Sequence, residues 1–107
     1  MFTQQELNSI DRSYFNVLQA SSYSVTLQSK NTKHYWHILH EEYPHFSSCS
    51  VSHKHNYSDE YHPHKHQPTL KRALRAIRSH DSYQINVRDK QKRARHKSMQ
   101  QAQDLTE

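Results

Sequence analysis

The amino-acid sequence predicts a single small α+β domain, with two helices on one face of an antiparallel sheet of three to five strands. Three observations predict it: a helix-capping signature near the N-terminus, several segments that alternate apolar and polar residues, and an apolar stripe at helical spacing after Thr69. The 107 residues suffice for one core. We expect the order α-β-β-β-(β)-α-β over residues 1–87, followed by a basic tail over residues 88–107 that is disordered, frayed or helical.

The first helix is predicted to begin at a capping box. Thr3 and Glu6 have the S/T-x-x-E spacing that satisfies two free backbone N–H groups at a helix start. Phe2 and Leu7 occupy the two positions of a hydrophobic staple, which fixes the direction in which the chain enters the helix. A short helix over residues 4–11 is therefore expected.

The next segments have the alternation of half-buried strands, which places Trp36 and Ile38 on one face of the third of them. The turn before that strand contains no glycine, so Asn31 is the residue best suited to a positive φ there. Residues 56–68 are polar, contain two prolines and are predicted to form a loop. The predicted strands are residues 14–19, 23–29 and 34–40, with a fourth over residues 49–55.

The second helix is predicted over residues 69–80, with Thr69 as its cap. Its apolar residues recur at i, i+3, i+4 and i+7, the spacing of a face that packs on a core: Leu70, Ala73, Leu74 and Ile77. Beside this face, the same spacing produces a basic ridge of Lys71, Arg75 and Arg78. The sequence after residue 80 is predicted to end the helix, and alternation over residues 83–87 predicts a last strand.

The chain contains no glycine, which excludes several classes of catalytic and nucleotide-binding site. The dinucleotide-binding G-x-G-x-x-G pattern, the phosphate-cradling P-loop and the nucleophile elbow of hydrolases all require glycine. We therefore expect a binding protein without catalysis, and the sequence suggests no catalytic residues.

Apolar runs in the sequence are too short for a membrane-spanning helix, and the N-terminal segment does not have the pattern of a signal peptide. Cys49 is the single cysteine, so the chain cannot form an internal disulfide. Both features are typical of cytoplasmic proteins, and a cytoplasmic location is expected.

Positive charge is concentrated in the C-terminal part of the chain. Residues 1–68 carry five Lys/Arg and six Asp/Glu, whereas residues 69–107 carry ten and four. Such a concentration of positive charge favours binding of a polyanion such as nucleic acid, because each neutralised phosphate releases condensed counterions. The candidate nucleic-acid-binding residues are the ten basic side chains of this segment: Lys71, Arg72, Arg75, Arg78, Arg88, Lys90, Lys92, Arg93, Arg95 and Lys97. The alternative is a solvated basic tail with no ligand.

Aromatic side chains are interleaved with basic ones in the centre of the sequence. Such residues stack on unpaired bases in proteins that read RNA with a sheet surface. Only the residues on one sheet face can be exposed for this purpose, because the other face must pack on the helices. The stacking candidates are Tyr35, His37, Tyr57 and Tyr61.

Nine of the eleven histidines lie between His34 and His66. Two groups have the i, i+2 spacing that a strand displays on one face: a C-x₃-H-x-H motif and an H-x-H-x-H motif. Zinc takes about four nitrogen or sulfur ligands, although neither spacing is that of a standard zinc finger. The candidate metal ligands are Cys49, His53, His55, His62, His64 and His66.

These observations favour a small non-catalytic nucleic-acid-binding protein, of a kind that would suit an accessory protein of a phage or mobile element. One alternative is an inhibitor or adaptor that docks on a partner protein such as a nucleic-acid enzyme. A second alternative is a metal-binding protein whose histidine cluster holds zinc. No membrane partner and no cofactor are expected under the first interpretation. The choice between RNA and DNA and the oligomeric state are left open.

Overall fold

A computed structural model describes the backbone of residues 1–104 and the side chains of residues 1–95, and it confirms the predicted α+β class. Five strands form one antiparallel sheet in which each strand pairs with the next along the chain. A short helix precedes the sheet and a long helix follows it. The elements are α1 (Gln4–Asn8), β1 (Phe15–Ala20), β2 (Ser24–Ser29), β3 (Tyr35–Glu42), β4 (Ser47–Lys54), β5 (His62–Gln67) and α2 (Leu70–Asp104).

One face of the sheet, called the inner face, forms the core with both helices. Trp36 and Ile38 of β3 are fully buried there, each opposite an apolar residue of β2. The apolar residues of α2 join the same core cluster. Because side chains alternate along a strand, Tyr35 and His37 lie on the opposite, outer face, on which neither described helix packs.

The predicted capping box is present in α1. Thr3 accepts a hydrogen bond from the backbone N–H of Glu6, and the Glu6 carboxylate accepts one from the N–H of Thr3. The helix ends at Asn8, earlier than the predicted residue 11. Phe2 and Ile10, which flank the helix, are each 3% exposed and anchor it to the core.

Helix α2 continues well beyond its predicted end, and the strand predicted over residues 83–87 is wrong. Asp81 does not stop the helix, because its buried carboxylate accepts hydrogen bonds from Tyr14 Oη at 2.7 Å and Thr32 Oγ1 at 3.1 Å. The carboxylate thereby ties α2 to the start of β1 and to the turn before β3. Ile77, Asp81 and Ile85 follow one another at a spacing of four residues, so the inward-facing stripe continues through a polar position.

The packing of α2 also differs in detail from the expected stripe. Leu70, Ala73 and Ile77 are buried to within 1% exposure, whereas Leu74 is only partly buried at the edge of the core. The helix therefore faces the sheet through Leu70, Ala73 and Ile77. None of the described helices is long and apolar enough to cross a membrane.

The segment predicted as a polar loop contains the fifth strand. Strand β5 pairs with β4 at the edge of the sheet, and the register shifts opposite Val51 and Ser52, next to Pro63. Proline is tolerated in an edge strand or at a bulge, where its missing N–H breaks no required ladder bond. Five of the six β5 residues are exposed, so no alternation of apolar and polar residues marks the strand in the sequence.

The turn between β2 and β3 uses a different residue for its left-handed backbone. Among the described residues, positive φ occurs at Lys33, with a value of 65°, and not at the predicted Asn31. Asn31 instead uses its side chain: its amide nitrogen donates to Tyr14 Oη, and its oxygen accepts from the backbone N–H of Thr32. The asparagine thus stabilises the turn through hydrogen bonds.

Candidate functional site

Three groups of polar and aromatic side chains could carry a function, and two of them lie at one end of the sheet, where β3 begins and β4 ends. The first is on the outer face and consists of Tyr35, His37, Lys54, Tyr57 and Tyr61, called here the tyrosine patch. The Lys54 ammonium nitrogen lies 5.4, 5.2 and 4.5 Å from the ring centroids of Tyr35, Tyr57 and Tyr61, respectively. These distances lie within the range of cation–π interactions.

Sheet register explains how the tyrosine patch assembles. Tyr35 is directly opposite Lys54 across the β3–β4 pair, so their side chains point to the same face. Lys54 also donates a hydrogen bond to the backbone oxygen of Tyr57 at 2.8 Å, which holds the β4–β5 turn over the patch. His37 lies two residues beyond Tyr35 on β3, with its ring centroid 5.8 Å from that of Tyr61. The structure therefore brings all four predicted stacking residues together.

The second group is the series of basic side chains on α2. Those of Lys71, Arg72, Arg75, Arg78, Arg88, Lys90, Lys92, Arg93 and Arg95 are all exposed, and the side chain of Lys97 lies outside the described residues. The predicted ridge lines one cleft beside α1 and β1. Within it, Arg78 lies 3.7 Å from the Asp11 carboxylate and stacks over the Tyr14 ring at 4.5 Å. Arg78 is thus the ridge residue whose charge is partly compensated.

Arg88 connects α2 to the end of the sheet that carries the tyrosine patch. Its guanidinium nitrogen Nη2 lies 2.8 Å from His34 Nε2. Tyr35, a member of the tyrosine patch, is the next residue after His34. The basic residues from Arg88 to Arg95 therefore start at the same end of the sheet as the tyrosine patch, although α2 packs on the opposite face.

The third group is a set of histidines on the inner face, and its members His34, His53 and His55 are called here the histidine cluster. His53 Nε2 and His34 Nδ1 are 3.2 Å apart, and the rings of His34 and His55 stack at 4.2 Å with an angle of 7°. One nitrogen atom from each of the three side chains lies within 4.8 Å of the other two. His34 and His53 are buried, and His55 is exposed.

Two more histidines and the core tryptophan border the histidine cluster. The His80 ring of α2 lies 5.1 Å from that of His53, and the His64 ring of β5 lies 4.9 Å from that of His80. Two buried nitrogen atoms here, Trp36 Nε1 and His80 Nε2, have no hydrogen-bond partner within the described part of the chain. The region therefore combines buried imidazoles with polar atoms whose bonding capacity is unused.

Burial keeps the inner histidines neutral at neutral pH. Loss of hydration lowers the pKa of His34 to about 4 and the pKa of His53 to about 3. Positive charge on His55 and Arg88 lowers the pKa of His34 further. The pKa of His53 is also lowered because a proton on its ring would be repelled by protonated His34 or His80.

The predicted metal ligands are only partly brought together. Cys49 precedes His53 by four residues on β4, which separates them by about 13 Å along an extended strand. Burial raises the pKa of the Cys49 thiol to about 11, so it stays protonated at neutral pH. Cys49 therefore does not join the histidine cluster.

The H-x-H-x-H motif does not present its three histidines on one face, because the β4–β5 register shifts between Lys65 and Pro63 and skips His64. His66 pairs with Ser50, which places it on the outer face. His64 contacts Trp36 on the inner face, with ring centroids 5.5 Å apart. His62 lies opposite His53 at the end of the β4–β5 pair.

Sequence reasoning missed His34, His80 and the contact of Arg88 with the cluster. His34 precedes Trp36 by two residues, so the alternation that placed Trp36 inward also placed His34 inward. His80 lies in the predicted helix, but the ring contact with His53 that marks it appears only in the structure. The position of Arg88 depended on α2 continuing past Asp81, which the predicted helix end concealed.

The chain matches no protein-family model, no curated protein and no solved structure. The tyrosine patch offers π surfaces beside a cation, α2 offers exposed positive charge, and the histidine cluster offers neutral nitrogen ligands. The tyrosine patch, the histidine cluster and Arg88 of α2 lie at the same end of the sheet.

Proposed function

We propose that the protein binds single-stranded nucleic acid at the end of the sheet where β3 begins. The observation that carries this proposal is the convergence of Tyr35, Tyr57 and Tyr61 around Lys54 on a sheet face that no described helix covers. The bases stack on the tyrosine patch, and the phosphates bind basic side chains of α2 beyond Arg88.

Stacking on exposed aromatic rings favours unpaired bases, because a base inside a duplex has both π faces already covered. A stacked base contributes roughly 1–3 kcal/mol to binding, with little dependence on its identity. Tyr57 is 79% exposed, so its ring is accessible without rearrangement of the sheet. The patch supports recognition of single strands with weak sequence preference.

Electrostatic attraction supplies the second part of the proposed affinity. Residues 88–95 carry five basic side chains and one acidic side chain within eight positions. Because Arg88 contacts His34 at the same end of the sheet, this series of charges begins at the sheet end that carries the patch. A single strand, which is flexible, passes around the end of the sheet and contacts both surfaces.

Binding of a fluorescent single-stranded oligonucleotide and of a duplex of equal length tests this proposal. We expect the single strand to bind more tightly than the duplex. Tyr35→Ala and Tyr61→Ala are each expected to weaken single-strand binding by about 5- to 100-fold, which corresponds to one lost stacking interaction. Circular dichroism checks that each variant keeps its fold.

Tyr43→Ala is the matched control, because Tyr43 lies in the β3–β4 turn at the opposite end of the sheet. Its substitution is expected to leave affinity unchanged. Equal affinity for single strand and duplex, or equal losses from Tyr43→Ala and Tyr61→Ala, contradicts the proposal. If this chain binds a partner protein but neither oligonucleotide, the adaptor alternative is supported.

A further inference from the structure

The histidine cluster has the dimensions and the ligand chemistry of a transition-metal site. In a tetrahedral zinc site with Zn–N bonds of 2.0–2.1 Å, two ligand nitrogens are separated by about 3.3 Å. The separation of 3.2 Å between His53 Nε2 and His34 Nδ1 is close to that value. His55, at the exposed end of β4, supplies a third nitrogen within 4.8 Å of both.

We propose that His34, His53 and His55 bind a divalent transition-metal ion of the zinc type, and that Arg88 competes with this ion for the His34 imidazole. The inference is independent of nucleic-acid binding. It adds His34 to the sequence-predicted ligands and keeps only two of them, leaving out Cys49, His62, His64 and His66.

The ligand set selects the class of ion. Three imidazoles with no carboxylate among them suit zinc, copper, nickel or cobalt, and they do not suit magnesium or calcium, which require oxygen ligands. Two of the three rings are buried, and packing holds their nitrogens in place: His53 lies against Trp36, and His34 lies against His53 and His55. The unpartnered Nε2 of His80, on the neighbouring ring, is a further nitrogen available to the ion or to a water molecule bound to it.

Arg88 fixes the tautomer of His34 in the metal-free state. A guanidinium only donates hydrogen bonds, so the Arg88 contact at 2.8 Å requires a lone pair on His34 Nε2. A neutral imidazole has one lone pair and one N–H, and the N–H therefore lies on Nδ1 and donates to His53 Nε2. In this state neither Nδ1 of His34 nor Nε2 of His53 is free to bind a metal.

Metal binding reverses this arrangement. An ion on His34 Nδ1 requires the proton to move to Nε2, where it faces the N–H group of Arg88 and forces the guanidinium away. An ion on Nε2 displaces the guanidinium directly. Arg88 and the ion are therefore mutually exclusive partners of His34, and removal of Arg88 is expected to strengthen metal binding.

Zinc titration of the full chain, purified without a polyhistidine tag and stripped with a chelator, tests the proposal. We expect one tight site per chain and, with cobalt as the probe, the visible absorption bands of tetrahedral coordination. His53→Gln and His55→Gln are each expected to weaken zinc binding by at least about tenfold. Since His55 is exposed, His55→Gln is the variant least able to disturb the fold.

Two controls separate this site from adventitious binding by the other histidines. A double variant of His62 and His66 to glutamine is expected to keep the tight site. Arg88→Met is expected to raise zinc affinity severalfold, whereas Arg93→Met, an exposed arginine of the same helix, leaves it unchanged. The proposed site is wrong if tight zinc binding survives His55→Gln and His53→Gln. It is also wrong if tight zinc binding disappears in the His62/His66 variant. If the Arg88→Met variant binds zinc with the same affinity as the unmodified chain, the proposed competition between Arg88 and the ion is wrong.

Discussion

Replacing Lys90, Lys92, Arg93 and Arg95 with glutamine is expected to weaken single-strand binding by about 10²–10³-fold at 0.1 M salt. Each phosphate contact adds about 0.7 to the slope of log affinity against log salt for a single strand, because binding releases condensed counterions. Four lost contacts therefore lower that slope by up to about 3. Arg88 is kept in this variant because it also contacts His34.

A second variant distinguishes local contacts from net charge. Lys71, Arg72 and Arg75 lie on the same helix but in its first half, away from the sheet end where Arg88 meets His34. For each charge removed, their replacement by glutamine is expected to lower the slope less than replacement of Lys90, Lys92, Arg93 and Arg95 does. Fluorescence anisotropy at several salt concentrations measures both slopes. Equal loss per charge in the two variants, or binding that does not depend on salt, contradicts the proposed position of the strand.

Acidification is expected to destabilise the metal-free fold strongly, through His34 and His53. In the unfolded chain both titrate near pH 6.5, whereas in the folded chain their pKa values are about 4 and about 3. Between these values the unfolded state takes up protons that the folded state excludes. The free energy of unfolding therefore falls as the pH decreases below about 6.5, and the contribution at pH 5 is about 2 kcal/mol for each histidine.

Urea unfolding at about pH 7.5 and about pH 5, with a chelator present, measures this loss. The fluorescence of Trp36 is a suitable probe, because its ring is fully buried and lies 4.2 Å from that of His53. His53→Leu removes one of the titrating groups and is expected to reduce the difference between the two pH values. Equal stability of the unmodified chain at both pH values would show that these histidines are hydrated in the folded protein.

The elements that the sequence predicted correctly are those whose local pattern agrees with their burial. Thr3 and Glu6 mark the first helix because the capping box acts within four residues. Strands β2 and β3 alternate cleanly because one face is core and the other is exposed. The apolar residues from Leu70 to Ile77 mark the packed half of α2 for the same reason.

The errors occur where distant residues decide the structure. Asp81 is compatible with a buried helical position only because Tyr14 and Thr32 donate hydrogen bonds to it, and no local pattern shows this. Strand β5 is held by pairing with β4 while its side chains stay mostly exposed.

The candidate sites were predictable in part. The sequence predicts the stacking residues Tyr35, His37, Tyr57 and Tyr61, but their convergence around Lys54 depends on the β3–β4 register and on the β4–β5 turn. The proximity of His34 to His53 has the same origin. Residue types therefore indicated the available chemistry, and the register of the sheet decided which side chains meet.

The most direct test of single-strand binding by the tyrosine patch is photo-crosslinking of the full chain to a single strand that contains 5-iodouracil. This base forms crosslinks preferentially with aromatic side chains that stack on it, and mass spectrometry identifies the modified peptide. We predict crosslinks at Tyr35, Tyr57 or Tyr61, and their loss when the patch tyrosines are replaced with alanine. Crosslinks confined to Tyr43 or to the aromatic residue of α2, Tyr83, would contradict the account.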